Sequence, residues 1–97
     1  MKLEITEEAL QWYKEEMDLE KGDHVRFYAR YGGSSSIQSG FSLGVSLEKP
    51  VEPFVTAEQD GITFFVEDKD AWYFDNYNLY VKYNEAYSEV EFEYLEE

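Results

Sequence analysis

Hydrophobic and polar positions alternate strictly in two stretches of this chain. In "HVRFYARY" (residues 24–31), Val25, Phe27, Ala29 and Tyr31 fall on one face, with Arg26, Tyr28 and Arg30 on the other. In "FSLGVSLE" (residues 41–48), Phe41, Leu43, Val45 and Leu47 oppose Ser42, Gly44, Ser46 and Glu48. A period of two over eight residues predicts a pleated strand with one buried face. The two runs predict a hairpin whose loop, Gly32 to Gly40, is far longer than the usual two to five residues. "PFVTAE" and "ITFFVED" predict a second hairpin, with Asp60-Gly61 supplying the positive φ of a tight turn. "NLYVKYN" and "SEVEFEYLEE" predict the last strands. In the latter, Val90, Phe92 and Tyr94 alternate with Glu89, Glu91 and Glu93, a buried face backed by a carboxylate ladder.

One segment has helical spacing instead. After an extended Leu3-Glu4-Ile5, Thr6 is a natural N-cap, and Glu7 and Glu8 complement the helix dipole. Ala9, Leu10, Tyr13 and Met17 then form one apolar stripe, and Gly22 is the stop signal, predicting a helix from Glu7 to Glu20. "KDAWYFDNY" predicts a short helix ending near Asp75. The fold class expected is α+β: one N-terminal helix and about six strands in a β-rich single domain spanning residues 1–97.

Composition supports a packed interior. The chain of 97 residues is 43% hydrophobic and 19% aromatic, which argues against disorder and for sheet. Its net charge of −14 is lopsided: residues 51–97 hold 13 acids and 2 bases. Such a field repels phosphate backbones and anionic lipid headgroups, so neither nucleic acid nor membrane is an expected partner. With no cysteine, no apolar run of spanning length and no apolar stretch in the opening "MKLEITEEAL", the expected location is the cytoplasm.

Catalytic constellations are thin. The one histidine, His24, has no cysteine to activate, and no serine stands in a nucleophile-elbow pattern. It reads as an ordinary strand-end residue. "DKDAWYFDN" lacks the central glycine and terminal glutamate of a calcium loop. The Gly/Ser stretch lacks the Lys-Ser/Thr pair of a phosphate loop. It does, however, adjoin the only locally basic spot. The candidate loop site is therefore Arg26, Arg30, Gly32, Gly33, Ser34, Ser35 and Ser36, where two arginines on one strand face could meet an anion or small molecule. The plainer reading is that Gly32, Gly33 and Gly40 let a wide loop take conformations closed to other residues.

The order of the pieces resembles a known family. "ITEEAL", "VRFYARYGGS", "GFSLGV", "QDGITFFVED", "YFDNYNLYV" and "VEFEY" follow one another as in the HesB-like family, related to the A-type iron–sulfur cluster carrier proteins. The resemblance is closest to its short branch from low-GC Gram-positive bacteria. The most specific match is R-x-x-x-R-x-G-G-S followed by G-F-S-L-G-V. The resemblance implies small mixed sheets around a core with one N-terminal helix. Carriers of this type hold iron or a cluster through three cysteines, one in the Gly-rich loop and two in a C-terminal Cys-Gly-Cys tail. The resemblance puts the loop cysteine at Ser34, and no Cys-Gly-Cys follows "VEFEYLEE".

Cluster iron needs thiolates, and a serine hydroxyl is a poor substitute. The expectation is therefore a non-enzymatic HesB-like domain with no cofactor, acting through a protein partner or in regulation. Two alternatives stand beside it: weak binding of iron or another divalent cation by carboxylates of residues 85–97, and an anion or small-molecule site at the Gly/Ser loop. A homodimer is a further alternative, since related carriers are often dimers and free β-edges invite pairing.

Overall fold

In the computed structural model, which describes residues 1–97, the Thr6 hydroxyl accepts a hydrogen bond from the Ala9 amide at 3.2 Å and caps helix α1 (Glu7–Glu16). Strand β1 (Leu3–Ile5) leads into it. The helix ends earlier than the Gly22 stop signal predicts. Asp18 turns left-handed at φ 53°, and the Leu19 amide reaches back to the Lys14 carbonyl at 3.0 Å, burying Leu19. This is a Schellman-type close, in which an aspartate takes the position usually given to glycine. Gly22 serves a later turn, where its amide donates to the Gly61 carbonyl at 2.8 Å.

The first hairpin joins β2 (His24–Ser34) to β3 (Ser39–Leu47). Its register runs from Val25↔Leu47 to Tyr31↔Phe41, then shifts so that Ser34 faces Ser39. Gly32 and Gly33 form the bulge at the shift, with φ of 118° and 66°. The nine-residue loop expected from the sequence is therefore corrected to Ser35–Gln38. Pairing continues through the glycines because they reach angles that residues with a Cβ avoid.

The second hairpin, β4 (Pro53–Gln59) and β5 (Ile62–Glu67), turns at Asp60 and Gly61 with φ of 56° and 80°, as the Asp-Gly signal predicts. Strand β5 runs parallel to β2, giving a four-stranded sheet of order β3-β2-β5-β4. A 3₁₀ helix, Asp68–Tyr73, follows as the short helical segment expected there. Strands β6 (Tyr77–Asn84) and β7 (Glu89–Glu96) pair antiparallel, while β1 joins β6 in parallel, giving a second sheet of order β1-β6-β7. The architecture is α+β: two small mixed sheets and one N-terminal helix.

One core cluster draws on both sheets and the helix. At its centre Tyr13, Phe27 and Phe64 pack ring to ring at 5.8–6.1 Å, and Phe92 of the second sheet meets Phe27 edge-on at 5.8 Å. Burying each such ring contributes roughly 1.5–3 kcal/mol. The alternation of β2 holds through Val25 and Phe27, both fully buried, but Tyr31 is 87% exposed. The outer end of β2 has run past the core, and the Tyr31 ring packs edge-on against Phe41. No helix is long and apolar enough to cross a membrane.

Candidate functional site

The Gly/Ser segment is a built turn. The Ser35 amide donates to the Gln38 carbonyl at 3.0 Å, and the Ser35 hydroxyl accepts from the Gln38 amide at 3.1 Å. The Gln38 side-chain amide then donates to the Tyr73 carbonyl at 3.1 Å, pinning the turn to the 3₁₀ helix. Across the bulge, the Ser42 hydroxyl donates to the Gly32 carbonyl at 3.1 Å and accepts from Arg30 at 3.3 Å. Ser34 and Ser36 are exposed, and Ser35 is half-buried.

The two arginines of the candidate site part company. Arg30 stays exposed beside Ser42, whereas Arg26 is enclosed, its side chain 12% exposed. One guanidinium nitrogen bonds Asp70 at 2.7 Å, the other reaches both oxygens of Glu48 at 3.2 Å, and the plane lies 5.3 Å from the centre of the Tyr28 ring. Burial alone would lower the Arg26 pKa, but Asp70 and then Glu48 outweigh it and raise it. The Glu48 carboxyl is held below its usual value, first by the Ser46 hydroxyl at 2.5 Å and then by Arg26.

Asp70 also accepts from the Ala29 amide at 3.4 Å. Pairing of β2 with β5 stops at Arg26, so Ala29 would otherwise face an empty sheet edge. Asp70 fills that place and ties the 3₁₀ helix to the strand carrying the glycine bulge. Nothing in the sequence pairs Asp70 with Arg26, because residues 44 apart meet only once β5 lies beside β2.

Around the bulge runs a ladder of aromatic rings. Tyr31 packs edge-on against Phe41 at 5.6 Å, and Phe41 against Trp72 at 5.1 Å, with Trp72 51% exposed. Beneath it the Tyr73 and Tyr94 hydroxyls share a hydrogen bond of 2.9 Å. Burial, then that bond, pushes the Tyr94 pKa well above the usual tyrosine value. His24 is a half-buried strand end whose carbonyl accepts from the Glu48 amide.

The donor set does not fit an iron–sulfur cluster. There is no thiolate in the chain, the position that the resemblance gives to the loop cysteine is the exposed Ser34, and no three histidine, aspartate or glutamate side chains converge as a metal site would require. On the C-terminal ladder, Glu91 accepts from Asn84 at 2.7 Å and Glu93 pairs with Lys82 at 2.9 Å. What the arrangement offers is contact surface: an exposed aromatic ladder, a rigid turn, and a helix flank described below.

This geometry is that of the HesB and IscA type of domain. The model of the iron-sulphur cluster biosynthesis family matches residues 1–95, and the chain belongs to that family. The crystal structure of IscA with the 2Fe-2S cluster shares the fold, with a TM-score of 0.57 and 14% identity, over 97% of this chain and 81% of that one. Among curated relatives, a Bacillus subtilis protein named pyruvate dehydrogenase inhibitor is 61% identical over 94 residues, covering 97% of this chain and 99% of its own. An uncharacterized Staphylococcus saprophyticus protein is 35% identical over 95 residues, covering 95% and 97%.

Proposed function

We propose that this protein is a single-domain, non-enzymatic cytoplasmic regulator that binds pyruvate dehydrogenase and lowers its activity. The observation that carries the reading is the 61% identity, over nearly the full length of both chains, to the protein named as an inhibitor of that enzyme. The chemistry of the site supports it. A carrier needs thiolates and this chain has none, while exposed rings beside a rigid turn are what protein interfaces use. Inhibition by contact requires no cofactor and no catalytic group of its own.

The test adds purified protein to the Bacillus subtilis pyruvate dehydrogenase complex and follows pyruvate-dependent NADH formation. The rate should fall with dose and saturate at a fixed ratio of protein to enzyme. An unchanged rate at large molar excess refutes the reading.

A further inference from the structure

Helix α1 and two of the four edge strands, β3 and β7, border an apolar groove. Strand β3 pairs only with β2, and β7 only with β6, so each presents one unpaired edge. Between them lies a groove of about 480 Å³ whose apolar lining includes Trp12, Met17, Val45, Val90 and Phe92. Its floor is continuous with the core, because Phe92 packs on Phe27. Trp12 also lines a neighbouring hollow of about 320 Å³, so the two form one surface.

The rim has one sign of charge. Glu16 and Glu89 border the groove, and Glu7, Glu8, Glu15 and Glu85 border the hollow. All six are exposed, none is in an ion pair, and no lysine or arginine lines either cavity. Lys14, the one cation of α1, is paired with Asp60. Carboxylates without a cation partner around an apolar trough repel one another until a cation arrives, and apolar lining alone would not select for charge. A second copy of this chain is a poor occupant, since it brings a net charge of −14 and the same acidic rim.

Resting on the inhibitor reading, we propose that this groove is the docking surface, and that it takes a lysine- or arginine-rich segment of the partner enzyme carrying one or two large apolar side chains. The apolar anchors fill the trough over Phe92 and Val90, and the basic residues meet the six glutamates. The Trp12 ring, on both cavities, is placed to stack against an incoming cation. Matched charge across the rim raises the association rate and excludes acidic competitors.

The experiment compares wild type, Glu16→Lys/Glu89→Lys, and Glu52→Lys/Glu58→Lys, an equal change of charge at exposed carboxylates outside both cavities, in the NADH assay. Circular dichroism and melting establish that each is folded. The doubly reversed rim should raise the half-inhibitory concentration at least about tenfold, equivalent to about 1.4 kcal/mol, while Glu52→Lys/Glu58→Lys keeps the wild-type value. A folded Glu16→Lys/Glu89→Lys protein that inhibits like wild type overturns the docking proposal and leaves the inhibitor reading intact. A wild type that does not inhibit refutes that reading instead, and the groove is then judged by a synthetic amphipathic lysine–leucine peptide. In a Trp72→Phe background, a shift of Trp12 emission that the reversed rim abolishes upholds the groove. Emission that the peptide leaves unchanged overturns it.

Discussion

Replacing Asp70 by asparagine removes one charge and almost no volume, and the structure sets what that costs. Arg26 and Asp70 are 12% and 9% exposed in their side chains, and the Arg26 Nε has no partner even in the intact protein. Removing one member of a buried pair typically costs about 3–5 kcal/mol, because the other charge stays buried and uncompensated. Here Glu48 remains on the second guanidinium nitrogen, but it is exposed, and such a contact contributes about 1 kcal/mol at most. The difference leaves about 2–4 kcal/mol for Asp70→Asn. Asparagine can still accept the Ala29 amide, so the loss isolates the charge. With a urea slope of about 1.5 kcal/mol per molar, the unfolding midpoint should fall by roughly 1.3–2.7 M at constant slope. Glu48→Gln should cost under about 1 kcal/mol. An Arg26→Met/Asp70→Leu protein should recover most of the loss, since no unpaired charge remains buried. If Asp70→Asn costs no more than Glu48→Gln, the pair is not an electrostatic anchor and the reasoning fails.

Three further outcomes follow from the same structure. A methyl group at Gly44 would overlap the Tyr28 ring, so Gly44→Ala should displace that ring from Arg26 and destabilise by about 1–3 kcal/mol in thermal melts. Asp60 is held below its ordinary value of 3.8 by Lys14, so it contributes stability that is full above that pH and is lost as pH falls through the lower folded value. The stability gap between wild type and Lys14→Met should therefore be constant at neutral pH and narrow below about pH 3.8, as read by urea titration at each pH. Anaerobic incubation with ferrous iron and sulfide should yield no stoichiometric cluster absorbance, because no thiolate is present to hold one.

Local chemistry was legible in the sequence wherever neighbours in the chain decide it. The Thr6 cap, the Asp60-Gly61 turn and the alternation of β2, β3 and β7 all follow from spacing and side-chain type. The helix end was misread because Asp18 reaches left-handed angles that glycine usually takes, leaving Gly22 as a decoy. The loop was overestimated because glycine reads as a break even where, as at Gly32 and Gly33, it carries a bulge inside a continuing strand. Arg26 looked free to meet an anion because alternation tells which face a residue occupies, not what packs on that face. Asp70 arrives there only through the β2–β5 crossover. The groove was invisible for the same reason, since α1, β3 and β7 meet only in the finished fold.

The parallel pairing of β1 with β6 also governs how the protein is made. The Lys2 amide donates to the Asn78 side chain, 76 positions away, and the Leu79 amide returns a bond to the Lys2 carbonyl. On a ribosome that emits the chain from its N-terminus, β1 must therefore wait for most of the sequence before it finds its neighbour. The hairpin of β2 and β3 can close long before that. Such distant pairing slows folding and lengthens the interval in which the apolar face of α1 lacks the second sheet. During that interval only Glu7, Glu8, Glu15 and Glu16 of the later rim have been made, and their like charge opposes contact between the helices of unfinished copies.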